Sequence, residues 1–185
     1  MASRLLPAAL AFAIAACTTP HRASLGEFEA ALAAQDSATL ALTRWCDARG
    51  IADPPSVRAL PVVGGRDTMP PGLDVLLQTA PDEPLGYRHV RLTCGDTVLS
   101  EAHNWYVPGR LTVEMNHTLE STDTPFGKVV GSLGFVRERL ESVRGPAPGC
   151  PQETILAHRA LLKLPDGRPI SLVVECYTPA NLAAQ

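Results

Sequence analysis

The stretch LLKLPDGRPISLVVECYTP, Leu161 to Pro179, is two apolar runs joined by Pro165-Asp166-Gly167, and it reads as a β-hairpin. Proline suits the first turn position and glycine the left-handed position of a bulged three-residue loop. That turn pairs Leu164 with Arg168, so Glu175 faces Ala157 with Arg159 on the diagonal. A two-residue turn on Asp166-Gly167 shifts the pairing by one and sets His158 across from Glu175. In the bulged register Ile170, Leu172, Val174 and Cys176 share a nearly apolar face with His158, Ala160, Leu162 and Leu164. Glu175 falls on the opposite, mixed face, the pattern of an antiparallel strand with one wet side. Set in a cleft instead, the same carboxylate would accept a ligand hydroxyl's hydrogen bond or serve as a general acid.

Outward from this hairpin, residues 86–94 (GYRHVRLTC) alternate, with Val90, Leu92 and Cys94 on one face and His89, Arg91 and Thr93 on the other. Gly95-Asp96 turns the chain into a partner strand over 97–107. Further strands are expected over 56–63, where Pro61 favours a sheet edge, over 133–140 and over 155–164. Ser24-Leu25-Gly26-Glu27 has capping-box form, and a second helix runs from Ser37 to Gly50 with Leu40, Leu42, Trp45 and Cys46 toward the core. Thr112 caps a short helix, VEMNHTLE, and residues 73–79 fit either helix or strand. Strands joined by hairpins, with helices in separate places, give an α+β fold: an antiparallel sheet of about six strands flanked by helices.

At 185 residues, 45% apolar and 19% charged, the chain has the composition of one globular domain. A net charge of -3 without a basic stripe argues against a nucleic-acid partner. The N-terminus, MASRLLPAALAFAIAACTTP, carries Arg4 and an apolar run too short to span a bilayer, which is the form of a secretory signal. Ile14-Ala15-Ala16-Cys17 resembles a bacterial lipobox, in which Cys17 is acylated and cleavage falls before it. Residues 1–17 are then signal peptide and lipidation site, and 18–185 a single domain tethered to the membrane by its acyl chains. Thr18, in place of an aspartate, points to the outer membrane of the cell envelope, facing the periplasm. Cys46, Cys94, Cys150 and Cys176 remain, an even number that allows three disulfide pairings or buried free thiols.

Four segments, in order, resemble the chorismate pyruvate-lyase family, whose fold also occurs in the UTRA effector domains of GntR-type regulators. They are Asp36-Ser37-Ala38-Thr39, Cys94-Gly95-Asp96, Thr124-Pro125-Phe126-Gly127 and the closing DGRPISLVVECYTP. The resemblance implies a chorismate lyase-like fold and an internal pocket for a small cyclic or aromatic carboxylate, with no metal and no organic cofactor. It further implies either elimination of pyruvate from chorismate to give 4-hydroxybenzoate, or a ligand-binding or structural envelope protein that keeps only the fold. Carried over by position, the catalytic glutamate becomes Glu175 and the loop amide Phe126. A strand arginine binds the ring carboxylate in that family; counting back from Cys94 places His89 there, with Arg91 two residues on and Arg88 one residue before. Arg91 is the expected anion partner, with His89 beside it and Arg88 as the alternative. Asn104 stands where the enzymes have a further arginine. His103 and His117 have no second ligand at metal spacing, and Ser100, Ser121 and Ser132 lie in no nucleophile elbow.

Overall fold

The closing hairpin forms, and its turn is the bulged one. The Leu164 N–H donates to the Arg168 carbonyl at 2.8 Å and the Gly167 N–H to the Leu164 carbonyl at 2.9 Å, with Gly167 at φ 87°, where a side chain would be strained. The register nevertheless changes one step later. Lys163 pairs with Pro169 but Leu162 pairs with Ser171, so Ile170 is an extra residue on its strand. Glu175 therefore pairs with His158 and not with Ala157. The face assignment read from the sequence is corrected with it: Ser171, Val173, Glu175 and Tyr177 share a face with Leu156, His158, Ala160 and Leu162.

The computed structural model describes residues 21–64 and 69–184; the segment expected to be a signal peptide and Cys17 lie outside them. Its elements are α1 (Leu25–Ala33), α2 (Ala38–Ala48), β1 (Val57–Pro61), α3 (Leu73–Leu77), β2 (Gly86–Cys94), β3 (Thr97–Tyr106), α4 (Val113–Ser121), α5 (Phe126–Val129), β4 (Val136–Arg144), β5 (Leu156–Lys163) and β6 (Pro169–Tyr177). The strands form one antiparallel sheet in the order β1-β2-β3-β6-β5-β4. β1, with Pro61, is at one edge and β4 at the other; β6 is central, which is why both of its faces are covered.

Helices lie against one face. Ser24 caps α1 in a complete capping box with Glu27, and the Ser37 hydroxyl accepts from Leu40 N–H to open α2. Phe28, Leu42 and Trp45 pack from these helices onto Val90, Leu92 and Tyr177 of the sheet. Phe28 meets Tyr177 edge-on at 5.3 Å, and Trp45 Nε1 donates to the Asn181 carbonyl at 3.2 Å. Leu40, expected inside, is 42% exposed because it lies off this stripe. Disulfides join Cys46 to Cys94, tying α2 to β2, and Cys150 to Cys176, tying the loop before β5 to β6.

Thr112 caps α4, and Thr124-Pro125-Phe126-Gly127, read as a loop, runs into the short helix α5. Together they cover the Ala160, Leu162 and Val173 end of the same face. The opposite face is covered by α3, whose Leu73 and Leu77 pack on Trp105, Leu161 and Leu172. Arg110 locks α3 in place: Nη1 donates to the carbonyls of Leu77 and Pro169, both at 2.6 Å, and Nη2 to Gln78 carbonyl and Glu83 carboxylate, both at 2.9 Å. The bonds to Leu77 and Gln78 serve carbonyls at the end of α3 that have no intrahelical donor.

Candidate functional site

Alternation along three strands builds a cavity between the sheet and the helices. Arg88, Val90 and Leu92 of β2, Ala102 and Asn104 of β3, and Val173 and Glu175 of β6 all point to the helix side and line it. The roof comes from Ser37 and Thr39 at the start of α2 and from Phe126 and Gly127 of α5, with Phe135 and Arg137 closing the β4 end. About 50 Å³ of the cavity is open to the centre of a water molecule, more than one water needs (about 10–15 Å³). A surface cleft shares Ser37, Thr39, Gly127 and Phe135 with this cavity. Here α2 and α5 nearly touch: a Cβ added at Gly127 would lie 2.8 Å from Ser37 Oγ and 3.1 Å from Thr39 Oγ1.

The sequence-derived residues separate cleanly. Glu175, Phe126 and Arg88 line this cavity. Arg91 and His89 do not: odd-numbered positions of β2 face the other side of the sheet, where His89 Nε2 lies 2.8 Å and Arg91 Nε 3.3 Å from the Glu101 carboxylate. The expectation that Arg91 meets a pocket anion is corrected accordingly. Its side chain is 54% exposed and already paired. Arg88 shares the face of Val90, Leu92 and Cys94, a two-residue period that was open to reading in the sequence. Of the aromatic pair after Asn104, Trp105 faces α3 and Tyr106 packs on Phe126 at 5.5 Å.

Glu175 is not on a wet face. It is 5% exposed, and its partner, unseen in the sequence, is Arg137 of β4. Arg137 Nη1 donates to Glu175 Oε1 at 3.3 Å and Nη2 donates to Oε2, a two-armed ion pair whose side chains are each 7% exposed. The Tyr177 hydroxyl donates to the same carboxylate at 2.9 Å. Burial opposes the charge on Arg137, but Glu175 and Tyr177 more than offset it and hold the guanidinium above its already high ordinary value. Burial, then the carboxylate, push the Tyr177 phenol well up. Arg137 left no trace in the sequence because β4, VRERLESVR, carries charge at most positions and none stands out by period.

Arg88 is the other cation. Its Nη1 donates to the Thr124 carbonyl at 3.3 Å, and burial lowers its guanidinium, with Tyr106 working the other way. Asn104, paired with Arg88 across β2 and β3, accepts from the Ser171 hydroxyl through Oδ1, while its buried Nδ2 has no hydrogen-bond partner among the described residues. A half-buried guanidinium and a buried amide N–H₂ thus converge on one apolar-walled space. Beside Asp36, which also lines the cavity, these donors suit a guest that carries oxygen acceptors.

On the sheet's other side the expectation that His103 lacks a second metal ligand is corrected. Strand pairing sets His89 opposite His103, and a nitrogen of each comes within 4.8 Å of a Glu101 oxygen. A separation of fourteen residues shows no motif until β2 and β3 are paired.

No family model matches the chain. It is 44% identical over 176 residues to the uncharacterized protein y4mC of Sinorhizobium fredii, an alignment covering 84% of this chain and 74% of that protein. The chain belongs to the y4mC family. Among solved structures it is similar to PhnF of Mycobacterium smegmatis, with a TM-score of 0.54 and 15% identity over 80% of this chain and 66% of that one. The effector domain of PhnF gives a TM-score of 0.51 and 16% identity over 77% of this chain and 88% of that domain. The architecture is the α+β chorismate lyase-like fold shared with such effector domains. Among the described residues no helix is long and apolar enough to cross a membrane.

Proposed function

We propose that this chain binds a small cyclic or aromatic carboxylate in the cavity between the sheet and helices α2 and α5. The supporting observation is the pairing of charges: Arg137 is neutralised by Glu175, whereas Arg88, which lines the same cavity with Asp36, has among the described residues the Thr124 carbonyl for its hydrogen-bond partner. A guanidinium removed from water gains most from a carboxylate, which it can hold by two parallel hydrogen bonds. Asn104 Nδ2 adds a donor beside it, and Phe126 and Phe135 offer faces for a ring. Glu175, held by an arginine fork and a phenol, is arranged to accept from a hydroxyl on the guest's far side. The effector domain whose fold this chain shares supports a binding role.

The test is a thermal-shift screen of the purified chain with benzoate, 4-hydroxybenzoate and non-aromatic carboxylates. A guest bound only by the folded state adds about 2.7 kcal/mol at a hundred times its Kd, so the melting temperature must rise, and Arg88→Met must abolish the rise. No shift with any carboxylate would sink the reading. Glu175 at the cavity also favours a second reading, elimination of pyruvate from chorismate; absence of 4-hydroxybenzoate after prolonged incubation at high protein concentration rejects it.

Two disulfides and the lipobox-like Cys17 support an exported protein anchored at the outer membrane by acyl chains. Metabolic labelling with a clickable fatty acid should mark the wild type and not Cys17→Ser; equal labelling would refute the anchor.

A further inference from the structure

On the sheet face away from the cavity, His89 of β2 and His103 of β3 are directly paired, and Glu101 lies two residues along β3 on the same side. The two imidazole rings stack with centroids 4.1 Å apart. A nitrogen from each ring and a Glu101 oxygen all lie within 4.8 Å of one another, and none of the three residues is exposed. Two imidazoles and a carboxylate are a donor set for zinc and its neighbours among the divalent transition metals. The Tyr87 hydroxyl lies 2.8 Å from Nδ1 of His103, the outer hydrogen bond that a ligating imidazole characteristically carries to fix its orientation.

We propose that β2 and β3 carry a zinc(II) site with His89, Glu101 and His103 as ligands. Three protein ligands leave at least one coordination position for water or an anionic guest, the arrangement of reactive rather than purely structural zinc. A groove lined by Trp105, Pro70 and Val174 reaches His103, one of the three ligands. Binding replaces the 2.8 Å contact between His89 Nε2 and Glu101, while Arg91 remains able to hold the carboxylate's other oxygen. Neutral imidazoles are required, so affinity must fall as pH drops. The site shares no residue with the cavity and does not depend on what the cavity binds.

The experiment is calorimetric titration of the chelator-treated full chain with zinc chloride, paired with cobalt(II) absorption spectroscopy. We expect one zinc per chain, a raised melting temperature, and affinity weakened by at least about 10-fold in both His89→Gln and Glu101→Gln, with His117→Gln unchanged. Absence of saturable binding, or binding that both ligand variants retain, overturns the proposal. Should either variant fail to fold, the wild-type cobalt spectrum decides: intense four- or five-coordinate bands support the site, and the weak spectrum of hydrated cobalt overturns it.

Discussion

Replacing Arg137 by methionine should be among the most damaging single changes in the chain, although Arg137 is on an edge strand. Its guanidinium and the Glu175 carboxylate are each 7% exposed and joined by two hydrogen bonds. Removing one member of such a pair leaves an uncompensated buried charge and typically costs about 3–5 kcal/mol. The Tyr177 hydroxyl still donates to the stranded carboxylate, which places the expectation near the lower end, about 3 kcal/mol. For a domain of this size that is roughly a 6–12 °C fall in melting temperature. Adding Glu175→Gln to Arg137→Met removes the stranded charge and should recover most of the loss, so the double variant is more stable than the sum of the singles by about 2 kcal/mol. Urea unfolding of the four proteins measures the cycle. A loss below about 1 kcal/mol for Arg137→Met, the range of solvent-screened pairs, or strict additivity of the two changes, would refute the buried pair and with it the neutralised half of the cavity.

Burial holds the His158 imidazole down at about 4 from an ordinary 6.5, against the pull of Glu175 and with Arg139 and Arg137 adding to the depression. The unfolded chain therefore binds the proton first as pH falls, and stability should decline from pH 6.5 toward about 4, by at most roughly 3 kcal/mol at ~1.4 kcal/mol per pH unit; His158→Gln should flatten that window in chemical denaturation at stepped pH. Arg88→Met should leave the melting temperature unchanged or raise it, since a half-buried cation with a carbonyl for partner returns little for its lost hydration. Gly127→Ala should lower the melting temperature and weaken carboxylate binding together, because the added methyl meets Ser37 Oγ at 2.8 Å where α5 crosses α2.

Much of the fold was legible because its signals are local. The capping box at Ser24, the alternation of GYRHVRLTC and the Pro165-Asp166-Gly167 turn each specify an element from neighbouring residues, and β2 spans the residues its pattern indicated. The site was only partly legible because its contacts are non-local. Glu175 and Phe126 came from ordered motifs, but Arg137 reaches Glu175 across two strand pairings, β4 to β5 and β5 to β6. No window of sequence contains that contact. The arginine of β2 was mislaid for a different reason. Gapless counting from Cys94 gave weight to the face of His89 and Arg91, although the same alternation puts Arg88 beside Val90 and Leu92 on the covered face.

The extra residue Ile170 makes the end of this hairpin a parity device. Each residue inserted into or removed from a strand exchanges inside for outside for everything beyond it. The bulge at Ile170 absorbs that exchange: excising Ile170 would leave Glu175 opposite His158, whereas pairing Ile170 into the ladder would set Glu175 opposite Ala157, away from Arg137. A relative lacking this one residue would thus need no bulge to present the same glutamate to the cavity, and one that kept the residue but lost the bulge would present it to the opposite face. Spacing from the turn and the bulge must be read together to say which face the carboxylate takes.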